Sequence, residues 1–128
     1  QRRAGGGVSI CLAAGALVVA LGRGEITLGW RHSVQKTLWE EVWRETPKGL
    51  EIVEARIEGS GAGMDPPDGA KLIDGFWRWR PQLPALHEVV MRRSGATADW
   101  RICKDGTCKP MGDYLPADAD PVTLKICD

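Results

Sequence analysis

Net charge is missing from this chain: 17 Lys and Arg residues are cancelled by 17 Asp and Glu over 128 residues. With no global field, and no run of like charge to make a local one, nothing attracts a polyanion, and no nucleic acid partner is expected. Long apolar runs are missing too. The longest largely apolar stretch, 8–21, has 14 residues, whereas a bilayer-spanning helix needs about 20. It follows Arg2 and Arg3, which would suit the apolar core of a signal peptide, but "LGRGEITLGW" continues directly into another patterned segment where a small-x-small cleavage site should stand. The expectation is instead a pair of buried strands turning at Ala14-Gly15. No export signal is visible in the chain, and residues 1–7 read as a flexible N-terminal segment. Helical periodicity is also absent, because 16 glycines and 8 prolines cut the chain into pieces too short for long helices.

What remains is β-structure. From Glu25 to Val34 the side chains alternate, with Ile26, Leu28, Trp30 and Val34 on one face and Glu25, Thr27, Arg31 and Ser33 on the other. "WEEVWRE" repeats the pattern with Trp39 and Trp43 together, and "LEIVEARIE" does so with Val53, Ala55 and Ile57 opposed by Glu54, Arg56 and Glu58. Asp74-Gly75 and Asp105-Gly106, each between strand-like runs, signal two-residue hairpins, since both central residues of a type I′ turn need positive φ. "HEVVMRR", "ADWRICK", "TCKPM" and "PVTLKIC" add further short segments, while "GMDPPDG" reads as a loop because adjacent prolines do not fit a sheet interior. The expected fold is all-β: one domain over 8–128, an antiparallel β-sandwich or partly closed barrel of about ten short strands. At this length a single core is self-sufficient, with about two-thirds of the unfolded surface buried.

Four cysteines are present. If Asp105-Gly106 is a two-residue turn, Lys104 faces Thr107 and Cys103 faces Cys108 as the next pair, with Cα atoms about 4.5–5.5 Å apart. A disulfide tolerates that distance. Half of a zinc site and a redox pair are the competing readings, though Cys-x4-Cys is not the usual spacing and no second ligand pair accompanies it. Cys11 and Cys127, near the two ends, would join the terminal strands in a second bridge. Cysteines that pair in a small β domain point to an oxidising compartment, periplasmic or extracytoplasmic.

The stretch "WRHSVQKTLWEE" gathers the candidate site. Alternation places His32 on the face of Trp30 and Val34, and Glu41 on the face of Trp39 and Trp43, with Glu40 pointing outward. A four-residue loop, 35–38, would pair Val34 with Trp39, His32 with Glu41, and Trp30 with Trp43. His32 and Glu41 then either satisfy each other in the core or open to a pocket among Trp30, Trp39 and Trp43 that binds a small ligand or a metal. Glu orienting a His would suit general-base work, but Ser33 lies on the opposite face, and no complete catalytic set is assembled. The chain therefore reads as a non-enzyme, with no cofactor expected. "GSGAGM" follows a strand without opening a helix, so it lacks the N-terminus that a phosphate cradle uses. The six tryptophans, with Trp77 and Trp79 alternating beside Arg78 and Arg80, form either core or a stacking surface.

Several of these stretches recur together elsewhere. "TLGWRHSVQKTLWEEVWR", "GLEIVEARIEGSGAGM", "DGFWRWRPQLPAL" and "CKDGTCKP" make the chain similar, from about Ser9 to Cys127, to the bacterial domain-of-unknown-function family 1850. The shared pattern is carried here by His32, Ser33 and Val34, by Glu40 and Glu41, by Gly61, Ala62 and Gly63, and by Asp74 and Gly75. The resemblance implies an accessory domain encoded beside TRAP transporters of the TAXI type, which take up organic acids with a periplasmic binding protein. Its implied partners are the TRAP-type permease or the TAXI solute-binding protein, close to the membrane. It implies no catalytic residues.

Overall fold

A computed structural model describes residues 9–31, 37–59, 66–94 and 98–127. Among these residues eleven strands run in chain order: β1 (Ser9–Ala14), β2 (Leu17–Gly22), β3 (Ile26–Arg31), β4 (Leu38–Thr46), β5 (Gly49–Glu58), β6 (Lys71–Ile73), β7 (Phe76–Trp79), β8 (Glu88–Met91), β9 (Arg101–Lys104), β10 (Thr107–Pro110) and β11 (Val122–Cys127). The one helical element among the described residues is a 3₁₀ turn at Met111–Asp113. The strands form two antiparallel sheets, β2-β1-β11-β8 and β10-β9-β3-β4-β5-β7-β6, so the sandwich reading holds and the barrel reading does not. The flexible-segment reading of 1–7 lies outside the described residues.

The stretch read as two strands is a hairpin, its loop centred on Gly15-Ala16 because Ala14 pairs with Leu17. Both Asp-Gly turns form as their chemistry requires. Asp74 and Gly75 have φ of 53° and 82°, and Asp105 and Gly106 have 52° and 81°. Ile10 and Leu12 of β1, Met91 of β8, and Val122 and Leu124 of β11 face Ile26, Leu28, Trp43, Leu50, Ile52 and Ile102 of the large sheet, and all are buried. Alternation thus does what it should, placing every second side chain of each sheet between the layers.

Two local features depart from plain alternation. A bulge shifts the β4–β5 register between Val42 and Trp43, so that Val42 pairs with Glu54 and Trp43 with Ile52. Val53 is the extra residue, and the inward set of β5 is Leu50, Ile52, Ala55 and Ile57 rather than Val53, Ala55 and Ile57; one inserted residue reverses the phase of everything before it. Between β7 and β8 the chain crosses from one sheet to the other, tied down where Leu50 and Leu86 exchange both backbone hydrogen bonds, at 2.7 and 2.8 Å. Gly49 makes this crossing possible. Its φ is +126°, and a Cβ there would lie 2.6 Å from the Leu86 carbonyl oxygen.

Past β8, the Arg93 side chain, 6 % exposed, holds the connecting loops together. Its Nη2 donates to Asp99 Oδ2 at 2.7 Å and its Nη1 to the Ala119 carbonyl at 3.1 Å. Burial alone would raise the Asp99 carboxyl, but the Arg93 guanidinium and the Trp100 and Gly112 N–H groups outweigh it and hold the pKa below the ordinary value.

Both expected disulfides are present. Cys103 faces Cys108 as the turn predicts, with Cα atoms 4.0 Å apart, closer than the separation expected from ladder geometry. Cys11 and Cys127 join β1 to β11 across a sequence separation of 116. Restricting the unfolded chain is worth about 5 kcal/mol for that loop and about 2 kcal/mol for the short hairpin loop.

Candidate functional site

The β3–β4 hairpin carries the candidate residues, but in a different register from the one read off the sequence. Trp30 pairs with Trp39, Leu28 with Glu41, and Ile26 with Trp43; Arg31 and Leu38 close the ladder. The expected pairing of Trp30 with Trp43 and of His32 with Glu41 is therefore wrong by four residues. The reason is that alternation repeats every two residues, so an even slip keeps every side chain on its face and satisfies the same apolar matching. The observed register stacks two tryptophan rings, 6.0 Å between centroids and 22° between planes. Leu38, expected in the loop, is the first residue of β4. His32, Ser33 and Val34 lie outside the described residues, as do Gly61, Ala62 and Gly63 of the glycine-rich segment.

The inward face of the large sheet presents two rows at this end. One runs through Trp30, Trp39, Ile57 and Trp77, and the next through Leu28, Glu41, Ala55 and Trp79. Trp100, beyond β3, sits 5.0 Å from Trp30 and donates its Nε1–H to the Arg92 carbonyl at 2.8 Å. Trp43 is core, at 2 % exposure, whereas the other five tryptophans are half-buried. The structure thus brings Trp30, Trp39, Trp43 and Glu41 to one face, and divides them between a buried ring and a partly open aromatic shelf.

Glu41 is the chemically unusual member. Its ladder neighbours are Leu28 and Ala55, both buried and apolar. Burial raises its pKa above the ordinary carboxylate value, and the Trp43 Nε1–H, donating to Oε1 at 3.2 Å, opposes only part of that rise. A carboxyl in this position can accept hydrogen bonds from a ligand in partly dry surroundings. Among the described residues, no three His, Cys, Asp or Glu side chains gather as a metal site.

The opposite face of the same sheet holds an ion network that sequence reading missed. Glu40 does point away from Glu41, but it is only 11 % exposed and lies between two guanidinium groups. Its Oε2 accepts from Arg101 Nη2 at 2.9 Å, and its Oε1 lies 3.1 Å from Arg56 Nε, close enough for ion pairing although the N–H is not aimed for a hydrogen bond. Arg56 and Arg78 then share Glu54 Oε1, each at 3.3 Å. Arg101 and Glu40 stand on either side of Gly29, roughly 10 Å apart at two strand spacings, and reach each other over it; a Cβ there would meet Glu40 Cγ and Arg101 Nε at ordinary van der Waals distances of 3.6 and 3.7 Å. Beside this network a groove of about 510 Å³ runs from Glu40 and Arg56 to the Cys103–Cys108 hairpin.

No curated protein and no solved structure matches the chain. A family described as a domain of unknown function (DUF1850) matches over residues 26–111, narrower than the 9–127 span read from the sequence. The matched span holds every strand of the large sheet together with β8, and leaves β1, β2 and β11 outside it. Covering about two thirds of its length, the match shows that the chain belongs to the DUF1850 family.

Proposed function

We propose that this protein is a non-enzymatic, extracytoplasmic accessory domain of a TRAP/TAXI-type organic acid transport system, contacting the permease or the solute-binding protein. Two disulfides support an oxidising compartment such as the periplasm. Among the described residues no helix is long and apolar enough to cross a membrane.

The observation that carries the docking part is the edge of the small sheet. Among the described residues β2, "LVVALG", has β1 on one side and no strand on the other, and it carries no charge. Leu17 and Val18 are 48 % and 57 % exposed. The other edges carry the residues that discourage strand pairing: Lys109 and Pro110 on β10, Lys71 on β6 and Glu88 on β8. An open, uncharged edge suits an extended partner segment that adds a strand by main-chain hydrogen bonds.

Co-isolation tests this. Ala14 and Leu17 flank the two-residue turn as the hydrogen-bonded pair, so the Val18 N–H points to the open edge. Val18→Pro removes that donor without breaking the ladder to β1. The wild-type domain should co-purify with the permease or the binding protein, and Val18→Pro, still folded, should not. Failure of the wild type with both proteins would refute the proposal.

One observation favours a second reading, a small-ligand or metal-binding β-module: the raised pKa of Glu41 on the face of Trp30, Trp39 and Trp43. Tryptophan fluorescence titrated with divalent metals and small carboxylates checks it, and a folded protein that gives no response would rule it out.

A further inference from the structure

The two disulfides differ in what the fold does for them. Cys11 is 2 % exposed, and its bridge to Cys127, which is half-buried, lies within the β1–β11 ladder of the small sheet. Cys108 is exposed on β10, an edge strand, Cys103 is half-buried, and both line the groove with Thr27, Glu40, Arg56 and Lys104. A thiolate must approach one sulfur of a disulfide to open it, so access decides which bridge exchanges.

Opening the short bridge costs folding stability less than opening the long one, so the fold outlasts it. Loop length does not itself set which bridge is reduced in the folded protein, since the closure entropy that eases the short loop in the unfolded chain offsets that difference. The hairpin also has other supports: the Asp105-Gly106 turn and the pairing of β9 with β3 do not depend on the bridge.

We infer that the Cys103–Cys108 bridge is a thiol–disulfide exchange site, opened by an external dithiol attacking at Cys108 while the Cys11–Cys127 bridge stays closed. The attacking thiolate bonds to Cys108 Sγ, the S–S bond breaks, and its electron pair goes to Cys103 Sγ, which takes a proton from water. The second thiol of the reductant then attacks the mixed disulfide and releases Cys108. Two electrons pass to the protein, and the dithiol leaves as a disulfide. The charges lining the groove include Arg56 and Lys104 as well as Glu25, Glu40 and Asp105, so access, rather than a one-signed field, selects this bridge.

The experiment exposes the native wild-type protein to dithiothreitol, quenches samples at successive times with an alkylating agent and maps the labelled cysteines by mass spectrometry. Cys103 and Cys108 should label at least tenfold faster than Cys11 and Cys127, with the native tryptophan emission retained. If both bridges open together, if the long one opens first, or if emission changes to that of the unfolded chain at the first step, the inference fails. The point of attack has its own test. Cys108 in Cys103→Ala should react with oxidised glutathione at least tenfold faster than Cys103 in Cys108→Ala, and equal or reversed rates would overturn it.

Discussion

Replacing Glu40 by glutamine keeps the size of the side chain and one carbonyl acceptor, but removes the negative charge between Arg56 and Arg101. An exposed ion pair is worth about 0–1 kcal/mol and a fully buried one loses about 3–5 kcal/mol when one partner is removed. The Glu40 network lies between these limits, because the side chains of Glu40, Arg56 and Arg101 are 11 %, 20 % and 40 % exposed. Arg56 keeps Glu54, and Arg101 turns to water, so the expected loss is about 2 kcal/mol, or roughly 8 °C in Tm for a chain of this length. Urea denaturation followed by tryptophan emission, with both disulfides oxidised, gives the value. A double-mutant cycle with Arg101→Gln should return a coupling of about 1 kcal/mol that survives 0.5 M salt, since a mostly buried pair is weakly screened. A loss below about 0.5 kcal/mol that vanishes in salt would mean that Glu40 is an ordinary surface carboxylate.

Three further outcomes follow from the geometry. Glu41→Gln should stabilise the fold at pH 7–8: a carboxyl with a raised folded pKa penalises the native state when ionised, and glutamine still accepts from Trp43 Nε1–H. That gain should fade as pH falls and vanish below the ordinary value of 4.5, where Glu41 is protonated in both states; urea midpoints at several pH values check it. Gly49→Ala should cost about 2–4 kcal/mol by denaturation, because it meets a glycine-only φ and the Leu86 carbonyl together. Cys11→Ser with Cys127→Ser should lower stability by about 5 kcal/mol, against about 2 kcal/mol for Cys103→Ser with Cys108→Ser; similar losses from the two pairs would refute the loop-length account.

Local chemistry makes much of the fold legible in the sequence. Asp74-Gly75 and Asp105-Gly106 determine their own turns, and the second turn dictates that Cys103 meets Cys108. Alternation through Ile26, Leu28 and Trp30, and through Trp39, Glu41 and Trp43, correctly sorts faces because a face depends only on odd or even position. The same property hides the register, so alternation allows Glu41 to match His32 when its neighbour is Leu28. Nothing local marks the bulge at Val53. The Glu40 network was out of reach for another reason: Arg101 lies 61 residues from Glu40, and the two meet only because β9 docks beside β3. Strand order is a property of the whole chain.

The most direct test of the docking role places a photo-crosslinking residue at Val18, on the open edge of β2, or at Lys109 on the guarded edge of β10, in cells that contain the transporter. The account predicts an adduct between the Val18 position and the TRAP-type permease or the TAXI solute-binding protein, and none from the Lys109 position. Adducts with neither protein from Val18, or equal adducts from both positions, would contradict it.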